Sequence, residues 1–138
     1  MEKAVVLVVE DEALIRISAL HIVEDAGFDV LEACNADEAI AILESRNGIR
    51  AVLTDIRMPG SMDGWELAGA IRRRWPPMHL IVASAHAPNG GILPANGRFI
   101  GKPYTAEQIT SALYELFDRD PCAGPIMRDI DRNRARMN

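Results

Sequence analysis

A chain of 138 residues, 49% hydrophobic and 25% charged, is the size and composition of one soluble globular domain. Its formal net charge is −5, and the stretch from Arg119 onward carries five Arg against three Asp, so the body before it is more acidic than the whole and is no general nucleic-acid or anionic-membrane surface. The apolar runs are too short to span a bilayer, no signal-peptide pattern opens the chain, and two lone cysteines, Cys34 and Cys122, make no disulfide or metal framework; the expectation is a reduced, cytoplasmic protein with no membrane attachment.

Taken in order, the chain alternates strands and helices. Residues 4–9 form an apolar strand that ends in Glu10-Asp11-Glu12. A helix is expected at about 12–26, with Leu14, Ile15, Ile17, Ile22 and Val23 beside small Ser18 and Ala19 as its apolar face, and Gly27 as its stop. Residues 28–33 alternate only partly, as an edge strand does. Asn35, three residues before Glu38, resembles a capping box ahead of Ala39, Ile40, Ile42 and Leu43. The central strand, about 50–54, is an apolar run closed by the carboxylate of Asp55, and residues 56–60 read as a loop.

Asp63, three residues before Glu66, opens a helix to about Trp75 whose inner face is Leu67, Ala68, Ile71 and Trp75. Arg72, Arg73 and Arg74 suit the negative end of its dipole, and Pro76-Pro77 end it. A fourth strand, 78–83, ends in Ser84; a fifth, about 98–101, ends in Lys102-Pro103. His79 lies within an apolar strand and reads as a structural histidine. Thr105 with Gln108 caps a last helix to about 118, where Ile109, Ala112, Leu113, Leu116 and Phe117 repeat at helical spacing.

Alternation of this kind means an α/β fold with a parallel sheet, and near-continuous apolar strands mean that both faces are covered. Right-handed crossovers favour a doubly wound sheet of strand order 2-1-3-4-5. Strands 1 and 3 are then neighbours, and the C-terminal edge collects Glu10, Asp11, Asp55, Ser84 and Lys102. Three clustered carboxylates repel one another, and a hard divalent cation such as Mg2+ relieves that repulsion. Lys102 offers a point charge for a phosphoryl oxygen, Ser84 a hydroxyl donor, and Asp55 a nucleophile able to form an acyl phosphate.

These pieces resemble the receiver domain of bacterial two-component response regulators, of the stand-alone single-domain type. The matching motifs are Glu10-Asp11, Asp55-x-x-Met58-Pro59 with Met62-Asp63-Gly64, Ser84-Ala85 and Lys102-Pro103, spread over about residues 4–118. The resemblance implies a flavodoxin-like (CheY-like) five-stranded fold. It implies that Asp55 accepts a phosphoryl group, in a Mg2+-dependent reaction, from a sensor histidine kinase or a histidine phosphotransfer protein. Such a module catalyses its own phosphorylation and dephosphorylation and is otherwise no enzyme. Asp11 would touch the ion directly, Glu10 largely through water, and Asp55 and the backbone carbonyl of Arg57 would complete the protein ligands. Ser84 would turn its hydroxyl toward the phosphoryl group and Lys102 would pair with it. Phe99 would be the aromatic that changes rotamer, although it fits a plain core position equally well. The Lys102-Pro103 bond would be cis.

The sequence departs from that pattern in two places. Gly60-Ser61 lengthens the loop between Asp55 and Gly64. Residues 85–97 contain Pro88, Gly90, Gly91 and Pro94 with only Ile92 and Leu93 as large apolar anchors, so the helix usual there is expected to be shortened or absent. The expected organisation is a receiver domain over 1–118 and a flexible tail over 119–138, without an output domain, monomeric or weakly dimeric, switching contacts with a downstream protein. Two rival readings are a Mg2+-dependent phosphohydrolase with an aspartyl nucleophile and a binding module independent of phosphorylation. Arg57 stands where such a hydrolase commonly has a second acid, and the retained site residues argue against the second rival.

Overall fold

The computed structural model describes residues 3–57, 63–85 and 97–118. Strands β1 (Val5–Val9), β2 (Asp29–Ala33), β3 (Ile49–Asp55), β4 (His79–Ser84) and β5 (Gly97–Gly101) form one sheet. Its order is β2-β1-β3-β4-β5, and every neighbouring pair is parallel. The described helices are α1 (Ala13–Asp25), α2 (Ala36–Ser45), α3 (Gly64–Arg74) and α4 (Ala106–Asp118). None of them is long and apolar enough to cross a membrane.

Side chains alternate across a strand, so each strand feeds two cores. Val6 and Val8 of β1 join Leu53, Ile81, Val23, Leu113 and Phe117 on the α1/α4 face. Leu7 and Val9 join Val52, Leu80, Leu43, Leu67 and Ile71 on the α2/α3 face. This double burial is why the strands read as unbroken apolar runs. Each such side chain stabilises the fold by about 1.5–3 kcal/mol. A one-residue slip would also exchange the two faces of a strand, so packing from both sides fixes the register that sets the strand ends. His79 follows the same logic: it is buried, with its ring 5.1 Å from that of Phe117.

Local signals set the helix starts. The Asp63 side chain accepts from Glu66 N, and the Glu66 side chain accepts from Asp63 N, a complete capping box. Thr105 and Gln108 exchange the same pair of bonds at the start of α4. At α2 only half of the expected box forms. Asn35 Oδ1 accepts from Glu38 N at 2.8 Å, while the Glu38 carboxylate accepts from Cys34 Sγ instead. Gly27, with φ of +107°, leaves α1 through the left-handed region, as its position as a helix stop requires.

Helix α1 corrects the sequence reading. It buries Ala19, Leu20 and Val23, whereas Leu14 is 80% and Ile17 49% exposed. The run Leu14-Ile15-Arg16-Ile17 is apolar at three of four consecutive positions, so its periodicity defines no single face, and packing on the sheet selects the stripe through positions 16, 19, 20 and 23. Three expectations fall outside the described residues: the lengthened loop at 58–62, the shortened or absent helix at 86–96, and the tail at 119–138.

Candidate functional site

The sheet register assembles the site. Val9 lies beside Thr54, Asp55 beside Ala83 and Ser84 beside Gly101, so four strands end along one edge. Neighbouring β1 and β3 bring Glu10 and Asp11 to Asp55, and one carboxylate oxygen from each of the three lies within 4.8 Å of the others. Lys102 enters from the far side of the edge. Its Nζ donates to Asp55 Oδ2 at 2.7 Å and to Glu10 Oε2 at 3.1 Å.

Hydrogen bonds to the backbone hold the strand ends that carry these residues. Glu10 N donates to Ala33 O, Ile56 N to Ala83 O and Lys102 N to Ser84 O, each bond joining the end of one strand to the next. Arg57 N donates to Asp55 Oδ1 at 3.2 Å and Glu12 N to Glu10 Oε1 at 3.2 Å. The Lys102-Pro103 peptide is cis. Gly64 N donates to Ile56 O at 2.8 Å, which pins the start of α3 to the loop after Asp55.

Burial divides the labour among the acids. Asp11 is exposed, the Asp55 side chain is 12% exposed, and Glu10 is buried. Burial pushes the Glu10 carboxyl above its usual 4.5; the bonds from Lys102 and Glu12 pull it down without reversing the shift, and the Asp55 charge adds to the rise. For Lys102 burial acts downward, but the bonds to Asp55 and Glu10 outweigh it and leave the ammonium harder to deprotonate than usual. The two partners therefore do not shift as a simple ion pair would. On Glu10, loss of water is the stronger effect.

That imbalance has a measurable sign. A carboxyl whose folded pKa lies above its unfolded value contributes stability in full below the unfolded value and loses it as pH rises through the folded one. Glu10→Gln removes this titration. Without Mg2+ at pH 7 the variant is expected to melt a few degrees above wild type, and the advantage should vanish as the pH falls below about 4.5. A lower melting point at pH 7 would mean that the Lys102 bond outweighs burial.

Three carboxylates converging from β1 and β3 are hard oxygen donors, and one of them, Asp11, faces solvent. This set fits Mg2+, which commonly takes one or two carboxylates and keeps waters or a phosphate oxygen in its other positions. Beside Lys102 lies a cavity of about 430 Å3 lined by Leu14, Ile15, Ser18, Ala85, Lys102, Pro103 and Tyr104.

A family model for the response regulator receiver domain matches residues 6–114. The chain belongs to this family. Among solved structures, a response regulator receiver protein from Sinorhizobium medicae superposes with a TM-score of 0.79 at 30% identity, covering 86% of this chain and 97% of that one. The receiver domain of NtrX from Brucella abortus gives 0.76 at 28% identity, covering 83% and 99%. The sensor kinase CckA of Brucella abortus is 31% identical over 84% of this chain, but the chain spans only 13% of that protein's length.

Within this receiver domain Glu10, Asp11, Asp55 and Lys102 stand together. Ser84 is buried at the end of β4, with its carbonyl tied to Lys102. Arg57 touches the site through its N–H. Phe99 of β5 pairs with Val82 of β4 and is partly exposed. Two residues beside the site were not singled out by the sequence reading. Tyr104 is half-buried, and burial together with the Glu10 charge raises its phenol above the usual value. Arg16 donates to Glu10 O, and the signal for it in the sequence was a lone cation inside an apolar helical run.

Proposed function

We propose that this receiver domain takes a phosphoryl group from a histidine kinase or a histidine phosphotransfer protein onto Asp55, with Mg2+ required, and that the modification switches its contacts with a downstream protein. The observation that carries the reading is the shared lysine. Lys102 bonds at once to Asp55 and to Glu10 within a cluster of three carboxylates. A cation poised between a nucleophile and a metal ligand serves the charge that phosphoryl transfer moves.

In the transfer an Asp55 carboxylate oxygen bonds to phosphorus, the phosphorus–nitrogen bond of the donor phosphohistidine breaks, and its electron pair stays on the imidazole nitrogen. Lys102 then follows the negative charge from the carboxylate to a phosphoryl oxygen. The Ser84 hydroxyl donates to another, and Phe99 is the aromatic that adjusts as Ser84 turns. Asp11, Asp55 and the Arg57 carbonyl would hold Mg2+ directly and Glu10 through water, and the ion would supply positive charge to offset the clustered carboxylates and the incoming phosphoryl group. Hydrolysis of the acyl phosphate by water returns the carboxylate, so the module turns over its own modification and no independent substrate. The cavity walled by Leu14, Ile15, Pro103 and Tyr104 beside Lys102 offers apolar surface for the donor protein to cover.

The test is exposure of the chain to Mg2+ with a small acyl phosphate and, separately, with a phosphorylated histidine phosphotransfer protein. Intact mass should rise by one phosphoryl group that hydroxylamine removes. No gain from either donor would overturn the reading.

A further inference from the structure

We propose that Arg16 is a positioning residue for the acidic turn at residues 10–12: its guanidinium locks the peptide between Glu10 and Asp11 and so sets where the exposed metal ligand stands. This rests on the reading of Glu10, Asp11 and Asp55 as the Mg2+ site. Arg16 Nη1 donates to Glu10 O at 2.9 Å, and Nε donates to Glu32 Oε1 at 3.1 Å. The Arg16 side chain is 17% exposed and Glu32 is 55% exposed, so the bond to Glu10 O is the one partly shielded from competing water. Its anchor, Glu32, lies in β2 directly beside Val8 of β1. The cation therefore ties together α1, the end of β1 and the edge strand.

The consequence falls on Asp11. Glu10 N is already held by Ala33 O, and its carbonyl is held by Arg16, so both peptide groups of Glu10 are fixed. A peptide is planar, so fixing the Glu10 carbonyl also fixes the N–H of Asp11 and the direction in which the chain leaves. The Asp11 carboxylate is exposed and has no hydrogen-bond partner among the described residues, which leaves the backbone to place it. The guanidinium reaches its two acceptors from two different nitrogens of one rigid plane, whereas an ammonium offers rotatable donors from a single nitrogen and cannot hold the same spacing.

Charge alone predicts the opposite sign. A cation near three carboxylates disfavours a second cation, so if Arg16 acted only through its charge, removing it would tighten Mg2+ binding. If it acts by position, removing it loosens binding.

Isothermal titration of the full chain with Mg2+ alone reads this without any phosphoryl donor. Arg16→Met is expected to raise the Mg2+ Kd about tenfold, in the range found when supporting partners of metal ligands are lost. Arg16→Lys should restore only part of the affinity, although it keeps the charge. Should Arg16→Met fail to fold, the Glu32 pair carries the test: both Glu32→Ala and Glu32→Gln remove the charge, but only Gln keeps an acceptor, so Ala should bind more weakly than Gln. Affinity in Arg16→Met equal to or tighter than wild type, or equal affinity in the two Glu32 variants, would overturn the proposal. Wild-type chain that binds no Mg2+ would overturn the metal-site reading as well. Mg2+ binding with normal Arg16 dependence but no phosphoryl uptake would leave Arg16 in its role and remove the function instead.

Discussion

Asp55→Asn is expected to abolish phosphoryl uptake from every donor while the melting point stays within a few degrees of wild type. An amide oxygen is too weak a nucleophile for the step, yet the side chain keeps its shape. Its one amide oxygen can still accept from either Lys102 Nζ, now on Oδ2, or Arg57 N, now on Oδ1, but not from both, because the amide nitrogen only donates. Losing a charge-assisted bond costs about 1.5–3 kcal/mol. Against that, one of three mutually repelling carboxylates is neutralised, and Lys102 remains paired with Glu10. The two effects oppose one another, which is why chemistry and stability should separate cleanly. Intact mass after treatment with acyl phosphate and Mg2+, beside a thermal melt, measures both. Asp11 is the one exposed carboxylate of the cluster, so full labelling of the Asn variant would move the nucleophile there and sink the assignment of Asp55.

The legible parts of this protein are those in which local chemistry and tertiary packing agree. Strands covered on both faces leave unbroken apolar runs, and the order β2-β1-β3-β4-β5 follows from the handedness of their crossovers. The caps at Asp63 and Thr105 use side chains three residues apart, so sequence spacing alone reveals them. The convergence of Glu10, Asp11 and Asp55 is legible because strand ends share an edge. Where the reading fell short, either a competing neighbour or a partner from far along the chain decides. Glu38 accepts from Cys34, four residues back, instead of completing its cap, and α1 is turned by the sheet so that Leu20 is buried and Leu14 is not. The partner of Arg16 in β2 lies 16 residues away in sequence, and Lys102 reaches acids 47 and 92 residues away. No window of periodicity contains such pairs. They follow only once the sheet is assembled.

Gly64 is the position where the fold and the site depend on one missing atom. A Cβ built there would lie 2.1 Å from Asp55 O, 2.6 Å from Ile56 Cα and 2.9 Å from Asp55 C. All three are backbone atoms, so no side chain can swing aside. The demand comes from close approach, because the bond from Gly64 N to Ile56 O draws the first turn of α3 against Asp55, the proposed phosphoacceptor. Gly64→Ala must therefore push α3 and the Asp55 loop apart by roughly the 1 Å that costs a positioned reaction on the order of 100-fold in rate. We expect that loss in phosphorylation rate together with a destabilisation of about 3 kcal/mol from overpacking. Gly69 supplies the control within the same helix. Its Cβ would meet only the flexible Nη1 of Arg73 at 3.4 Å, and alanine in a helix interior is favoured over glycine by about 0.8–1 kcal/mol. Gly69→Ala should therefore stabilise the chain and leave the phosphorylation rate alone. Denaturant unfolding and single-turnover phosphorylation of the two variants give opposite signs if the contact with Asp55 governs. Equal behaviour of the two alanines would mean that α3 does not hold the Asp55 loop.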